Sequence, residues 1–402
     1  MHKPYNALGV ARDARPSQPV TLVRPHAALR AARFFAQKFP GTSMYAVKAN
    51  PSPDLLRVLW DGGIKTYDVA SIAEVRLVRA TLPEATLCFM HPVKPFESVF
   101  EAYHTHGVRV FSLDGMDELE KIVEATSTDG VAATDLTLCV RLRVSSSHSK
   151  LSLASKFGVG VEDAAPVLMA ARQAADALGI CFHVGSQAMS PAAYSDALAL
   201  VRAAIVAAGV TVDVVDVGGG FPSIYPGMEP TGLQRYFDVI HAAFEDLPVS
   251  YSAELWCEPG RALCAEYASL IVRVEKRRGD TLFINDGAYG ALFDAAHVDW
   301  RFPAELLREV PSHAKPLGFS FYGPTCDDMD FMRGPFMLPA DVQAGDYLEI
   351  GMLGAYGCAM RTAFNGFTNG DTQVAGDEPM ESAYVVTEPS REVVTPMRRV
   401  KR

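Results

Sequence analysis

Apolar runs and helix-like segments alternate from about residue 25 to residue 265, and this alternation constrains the fold more than any other feature of the sequence. Eight of the runs have the length and composition of buried strands, and the segments between them have helical periodicity. Each crossover is short enough for the strands that it joins to be parallel neighbours. This pattern predicts an α/β fold, a (β/α)8 TIM barrel, with a doubly wound sheet as the alternative. The predicted strands are SMYAVKA, IKTYDVAS, LCFMHPV, VRVFSLD, LTLCVRLRV, ICFHVGS, VDVVDVG and SAELWCEPG.

The pattern changes after about residue 266. Segments such as SLIVRVEKRRGDTLFINDG, DYLEIG and SAYVVT are typical of antiparallel strands joined by Gly and Pro turns. We therefore expect a barrel at 25–265 and a second, β-rich domain, a sandwich or barrel, formed by 1–24 and 266–402. The basic ending RRVKR is interpreted as a solvated tail.

Charge and cysteine content exclude several kinds of partner. The formal net charge of -10 argues against nucleic acid or an anionic membrane, and it suits a small cationic substrate. The first twenty residues lack a hydrophobic signal core, and no apolar run has the length of a membrane span. The seven cysteines are scattered and have no C-x-x-C spacing, which indicates reduced thiols, no metal site and a cytoplasmic location.

Chemically active side chains stand at the ends of the predicted strands. In a barrel, active sites gather at the carboxyl ends of the strands. Lys48 ends the first run, where a snorkelling lysine at a strand edge is the alternative. A cofactor with a carbonyl, a phosphate and a ring nitrogen would need such a set of groups. The other strands deliver Asp68, Arg143, His183, Gly218 to Gly220, Glu258, Gly260 and Arg261.

Three of these elements suggest a role by their chemistry. The triple glycine after a strand lets backbone N–H groups approach a phosphate, although a tight turn is an equal explanation. Glu258 is suited to pair with a protonated pyridine nitrogen, and capping a helix is the alternative. His183 could stack on a planar cofactor or be a satisfied core histidine.

Eight motifs in a fixed order resemble one family. They are YAVKAN, YDVAS, FHVGSQ, DVGGGFP, EPGRAL, YGPTCDDMD, GAYG and FNGF, and the resemblance extends from about residue 20 to residue 370. The eight motifs resemble those of the pyridoxal-phosphate-dependent decarboxylases of the ornithine and diaminopimelate group, which have the alanine-racemase-like fold type III. This implies a pyridoxal 5'-phosphate (PLP) cofactor and decarboxylation of L-ornithine to putrescine in polyamine biosynthesis. Two departures are Gln187, where glycine is common, and the additional acid Asp328.

The resemblance implies a role for each matching residue. Lys48 would hold the cofactor aldehyde, Glu258 would pair with the pyridine nitrogen, and His183 would stack on the ring. Cys326 would be the general acid that reprotonates the α-carbon. Asp68 and Arg143 would support the ring and the lysine, and the phosphate would be held by Ser186, Gly218, Gly219, Gly220, Gly260, Arg261 and Tyr356. The substrate would be contacted by Asp294, Asp327, Phe293, Tyr356 and Phe364.

The same resemblance implies a homodimer in which Cys326 and its loop complete the site of the other subunit. Asp327 and Asp294 suit a distal ammonium, so ornithine is the first expectation, lysine the second and diaminopimelate the third. A racemase on this fold would place arginine where Glu258 stands. A catalytically inactive regulatory relative would lack the lysine or the cysteine, and both are present.

Overall fold

The structure is a computed structural model that describes residues 6–145, 147–368 and 370–384. None of the helices in this part of the chain is long and apolar enough to cross a membrane. The helices are α1 Ala7–Ala14, α2 Pro25–Lys38, α3 Pro53–Asp61, α4 Ile72–Thr81, α5 Phe96–His104, α6 Met116–Thr126, α7 Ala164–Ala174, α8 Ala192–Ala208, α9 Leu233–Glu245, α10 Arg261–Cys264 and α11 Phe293–His297.

The strands form two large sheets and one small one. They are β1 Val20–Val23, β2 Thr42–Ala46, β3 Thr66–Val69, β4 Thr86–Phe89, β5 Val110–Leu113, β6 Thr137–Arg141, β7 Ser149–Leu151, β8 Ala177–Cys181, β9 Ser186–Ala188, β10 Val214–Asp216, β11 Glu254–Cys257, β12 Ala268–Arg278, β13 Thr281–Ile284, β14 Ala304–Leu307, β15 Pro316–Tyr322, β16 Phe331–Pro339, β17 Tyr347–Ile350 and β18 Thr372–Val374. The small sheet pairs β7 with β9.

Eight parallel strands close into a barrel in the order β2, β3, β4, β5, β6, β8, β10, β11. The barrel is closed by β11 and β2, where Trp256 pairs with Thr42. Helices cover its outside through apolar faces, and Phe35 of α2 packs edge-on against Phe237 of α9 with ring centroids 5.1 Å apart. The predicted TIM barrel is therefore confirmed, and the doubly wound sheet is excluded.

The interior of the barrel is filled by sulfur-containing side chains. Met44, Cys88, Cys139 and Cys181 are fully or almost fully buried and form one cluster. Gly179 faces this cluster, because a Cβ atom there would lie 2.4 Å from Cys139 Sγ. A barrel packed in this way is closed in its centre, so a ligand can enter only at the end where the strand loops open.

The second unit is an eight-stranded mixed sheet with the order β14, β17, β12, β13, β15, β16, to which β1 and β18 are attached. β1 pairs antiparallel with β12, so an N-terminal strand joins the β-rich unit as expected. The predicted antiparallel strands are present as β12 with β13 and β12 with β17, and the sheet also contains two parallel pairs, β13 with β15 and β1 with β18. Residues 382–384 of SAYVVT are not a strand; its other residues and the RRVKR tail lie outside the described residues. The domain limits at residues 24 and 265 stay a proposal.

Candidate active site

Lys48 lies in a 3-10 turn, Val47–Ala49, directly after β2. Its Nζ donates a hydrogen bond of 2.8 Å to Asp68, which is the penultimate residue of β3 and is 2% exposed. Although burial in the pocket lowers the pKa of Lys48, the charges of Asp68 and Glu258 outweigh it and raise this pKa above its usual value. The Lys48 side chain keeps 42% of its area accessible because the pocket opens to solvent. The lysine is thus held by a buried acid at the barrel mouth and is not a snorkelling surface residue.

The turn that carries Lys48 is fixed from two sides. Gly260 packs on it so closely that a Cβ atom would lie 3.1 Å from Ala49 Cβ. The Tyr356 amide donates to the Ala49 carbonyl at 2.7 Å. Tyr356 has φ of 64°, a left-handed conformation that is strained for a non-glycine residue. Backbone strain of this kind persists where many surrounding contacts hold the residue in place, and such residues cluster at functional sites.

Glu258, after β11, is 7% exposed and lies beside Asp216, the last residue of β10, which is 0% exposed. Asp216 Oδ1 accepts a 2.8 Å hydrogen bond from the Gly218 amide, whereas Oδ2 has no hydrogen-bond donor among the described residues. Burial raises the pKa of both carboxyls, and the Asp216 charge raises that of Glu258 further. A proton shared by the pair would satisfy Asp216 Oδ2. Helix capping is excluded as the role of Glu258, because Gly260 is the N-cap of α10.

Replacing Asp216 with asparagine is expected to flatten the pH dependence of stability of the cofactor-free protein. A carboxyl whose pKa is raised by folding binds more protons in the folded state, so stability falls as pH rises from about 4 to the raised pKa. Asp216→Asn removes one such carboxyl and the charge that raises the pKa of Glu258. Urea unfolding at a series of pH values measures this slope. Equal slopes for the wild type and Asp216→Asn would contradict the carboxyl pair.

His183 follows β8 and is neutral, because burial, and then the charges of Arg141 and Lys48, lower its pKa well below the usual value. Its Nδ1 accepts a 3.0 Å hydrogen bond from the Gly185 amide, which assigns the proton to Nε2. Gly219 lies against the ring, since a Cβ atom there would be 2.9 Å from His183 Nε2. The imidazole therefore presents a flat, neutral surface at the barrel mouth.

The glycine loop after β10 is tied to the neighbouring strand loops. Gly218 has φ of 67°, and a Cβ atom would lie 2.0 Å from the Phe182 carbonyl oxygen. The Tyr194 hydroxyl donates to the Gly219 carbonyl at 3.0 Å, and the Ala188 amide donates to the Gly220 carbonyl at 2.9 Å. These contacts hold the main chain of the loop in place, and Gly219 and Gly220 lie at the edge of the pocket.

Arg261, the first residue of α10, lies near this loop and is a buried cation that is 5% exposed. Its Nη1 donates to the Tyr225 hydroxyl at 3.1 Å and its Nη2 lies 3.4 Å from Asp294 Oδ2. The guanidinium lies 4.2 Å from the centroid of the Trp300 ring. Its Nε has no hydrogen-bond partner among the described residues. A buried cation with a free donor is suited to bind an anionic group.

The structure corrects one residue of the predicted site. Arg143 is exposed, and its Nε donates to the Gly158 carbonyl at 3.1 Å, away from the pocket. Arg141, two residues earlier and the last residue of β6, acts electrostatically on His183 and Asp216 instead. Side chains alternate along a strand, so Arg141 and Arg143 would lie on the same side if β6 continued. However, β6 ends at Arg141, and Arg143 lies outside the strand.

Cys326 and Asp327 belong to a second group of residues in the loop between β15 and β16. Cys326 is a free, exposed cysteine whose amide donates to Asn365 Oδ1 at 3.1 Å. Asp327 accepts a hydrogen bond from the Tyr289 hydroxyl, and the Tyr289 ring packs on Phe364 with centroids 4.8 Å apart. Tyr289 was not among the predicted residues. It stands in DGAYG, where nothing in the local sequence indicates a contact with the loop of Asp327.

The two groups line different cavities of a single chain. Lys48, His183, Ser186, Gly219, Gly220, Glu258, Gly260, Arg261 and Tyr356 line one cavity together. Cys326 and Asp327 line another, with Ser17 and Arg278 among its residues. Phe293 packs on His297 within α11. The predicted cofactor residues are therefore brought together, apart from Arg143, and the predicted acid Cys326 lies elsewhere on the same chain.

The first cavity fits a flat heteroaromatic ring that carries a phosphate. It is lined by the backbone of Gly219 and Gly220, by Arg261, whose Nε has no partner among the described residues, and by Glu258. The imidazole of His183 forms a wall beside Gly219, and Lys48 is the amine within the cavity. A pyridine nitrogen beside Glu258 and Asp216 would receive the proton that the two carboxyls share. The protonated ring would then withdraw electrons strongly.

Comparison with known proteins identifies both units. Residues 26–265 match the family model described as pyridoxal-dependent decarboxylase, pyridoxal binding domain. Residues 213–354 match the model described as pyridoxal-dependent decarboxylase, C-terminal sheet domain. The protein is 32% identical over 348 residues to a lysine/ornithine decarboxylase of Selenomonas ruminantium, which covers 84% of each chain. It is 29% identical over 386 residues to antizyme inhibitor 2 of Xenopus laevis, covering 88% of this chain and 81% of that protein.

Solved structures agree with these sequence matches. A crystal structure of an SrLDC variant in complex with PLP has a TM-score of 0.80 at 28% identity and covers 92% of this chain and 96% of that chain. The arginine decarboxylase of Paramecium bursaria Chlorella virus, bound to agmatine, has a TM-score of 0.79 at 26% identity, covering 91% and 98%. The chain therefore belongs to the pyridoxal-dependent decarboxylase family that includes the ornithine and lysine decarboxylases, as its motifs predicted, and its cofactor is PLP.

Proposed function

We propose that the protein decarboxylates L-ornithine to putrescine, as a homodimer whose two active sites are each shared between subunits. The observation that carries the proposal is the presence of one aspartate near the cofactor pocket and of a second aspartate beside Cys326. Asp294 lies beside Arg261 at the cofactor pocket, and Asp327 lies beside Cys326. All cysteines in the described part of the chain are free, which suits the reducing cytoplasm that we propose as its location.

Lys48 would attach the cofactor aldehyde and would then be exchanged for the amine of the substrate. When bound, PLP draws electrons away from the α-carbon of the attached amino acid, which allows CO₂ to leave. Glu258, with Asp216, would keep a proton at the pyridine nitrogen. The imidazole of His183 would lie flat against the ring. Because the imidazole is uncharged, it would not repel the protonated pyridine. Arg261, Ser186 and the glycine loop would hold the phosphate.

The α-carbon must receive a proton after CO₂ has left, and Cys326 carries a thiol suited to donate it. Because Cys326 lines a different cavity from Lys48, we propose that it serves the site of the partner subunit. The loop is flanked by exposed apolar side chains, namely Met329, Phe364 and Phe367, which are 63%, 41% and 43% exposed. Such exposed apolar surface is typical of a subunit interface.

A distal ammonium fits the acids better than the alternatives do. Ornithine and lysine both carry one, and one methylene changes binding by only about 1 to 3 kcal/mol, so lysine is the second candidate. The name of the Selenomonas relative includes both substrates. A diaminopimelate carboxylate would face two acids and be repelled. A purely regulatory role, which the antizyme inhibitor match raises, is disfavoured because Lys48 and Cys326 are both retained.

Replacing Asp327 or Asp294 with asparagine is expected to lower kcat/KM for ornithine at least tenfold. Each change removes a charge-assisted contact, worth about 1.5 to 3 kcal/mol, from the distal ammonium. Norvaline, which lacks that amine, should be turned over equally well by the wild type and both variants. Measuring kcat/KM for ornithine, lysine and norvaline tests this, with Asp129→Asn in an exposed turn as the control. If ornithine keeps its full advantage over norvaline in both variants, the distal amine is recognised elsewhere.

A further inference from the structure

Gln187 occupies a position where its backbone would favour glycine. It has φ of 57°, in the left-handed region, and it is 1% exposed. It lies between Ser186 and Ala188 in the short strand β9, which follows β8, and Ala188 is hydrogen-bonded to Gly220 through the main chain. A buried residue keeps a strained backbone conformation when the free energy gained from its side-chain contacts exceeds the free energy cost of the strain.

Those contacts form a two-point bridge to one residue. Gln187 Nε2 donates to the Ser223 carbonyl at 2.5 Å, and the Ser223 amide donates to Gln187 Oε1 at 3.1 Å. Both ends of the side-chain amide are therefore used on the main chain of Ser223. The Ser223 hydroxyl in turn donates to the Arg261 carbonyl at 3.3 Å. Ser223 is 1% exposed, so water does not compete for these groups.

The bridge joins the three loops that carry the candidate phosphate donors. Gln187 follows Ser186, Ser223 follows the glycine loop by three residues, and Arg261 lies after β11. We propose that Gln187 is a positioning residue that fastens these loops to one another and so holds their donors ready for the cofactor phosphate. The proposal rests on the assignment of these loops to the phosphate, and it is independent of which amino acid is decarboxylated.

Two ligands separate this role from a general structural one. PLP and pyridoxal share the ring and the aldehyde, but only PLP has the phosphate. The cofactor-free wild type, Gln187→Gly and Gln187→Asn would each be titrated with both ligands by absorbance. Glycine removes the bridge and also the backbone strain, while asparagine tolerates the left-handed conformation but has a shorter amide. The asparagine variant keeps the test available if the glycine variant fails to fold.

The expected result is a dissociation constant for PLP about tenfold higher in both variants, because two buried hydrogen bonds are lost, with pyridoxal changed less than about twofold. Asp129→Gly is the matched control, since Asp129 is also left-handed, with φ of 51°, but lies in an exposed turn. Unchanged PLP binding, or equal weakening of PLP and pyridoxal, would overturn the proposal. Equal affinity of the wild type for both ligands would overturn it together with the phosphate assignment, and would leave the ornithine proposal standing.

Discussion

A Lys48→Ala protein is expected to fold, to bind PLP only reversibly, and to lose decarboxylase activity by about a thousandfold or more, the scale set by losing an essential covalent group. Lys48 is the amine of the cofactor cavity, and its Nζ is oriented by Asp68. In the wild type, borohydride should fix PLP to the chain, and peptide mass spectrometry should find it at Lys48. The variant should carry no such label after the same treatment.

The control for this experiment is Lys65→Ala. Lys65 is an exposed lysine just before β3, at the opposite end of the strand from Asp68. Its removal should leave both the label and the turnover at wild-type levels. A borohydride label on any lysine other than Lys48, or undiminished activity of Lys48→Ala, would disprove the assignment.

Mixing two impaired variants should restore activity if the active site is shared. Cys326→Ala should bind PLP normally, yet its turnover should be slow or diverted toward decarboxylation-dependent transamination, because loss of CO₂ does not need the thiol but α-carbon protonation does. After random exchange with Lys48→Ala subunits, half of the dimers are mixed and each has one intact site. The mixture should therefore reach about a quarter of wild-type activity.

Cys358→Ala supplies the comparison, because Cys358 is the other exposed cysteine in the described part of the chain. It should retain normal turnover and product. Absence of recovery in the Lys48→Ala and Cys326→Ala mixture, once subunit exchange is demonstrated with differently tagged chains, would exclude a shared site. Wild-type turnover by Cys326→Ala with normal product would exclude the thiol as proton donor.

The sequence predicted the barrel and most of the pocket, because both depend on local patterns. A lysine, a triple glycine and a glutamate after strand-like runs are visible without knowledge of contacts. Lys48, Glu258 and Arg261 therefore lie where their motifs indicated. The choice of Arg143 over Arg141 failed because it required the residue at which β6 ends, and strand boundaries are poorly marked in the continuous run LTLCVRLRV.

Other features depended on contacts between distant segments. The pairing of Asp216 with Glu258 requires β10 and β11 to lie side by side, which only the closed barrel reveals. The Tyr289 bond to Asp327 joins segments that are 38 residues apart. Gln187 was visible as a departure from the motif, but its bridge to Ser223 became apparent only when the two loops were placed together.

The pairing of β1 also has a consequence for the order in which the chain folds. The barrel strands form an uninterrupted block of sequence, whereas β1 pairs Val20 with Ile271 of β12 and Thr21 with Thr372 of β18. During synthesis, the barrel can close before either partner of β1 has left the ribosome. Until then β1 presents an unpaired apolar edge, the kind of edge along which chains aggregate. A fragment that stops after the barrel would leave the edge of β1 unpaired permanently, so the eight-stranded C-terminal sheet protects the N-terminal strand from aggregation.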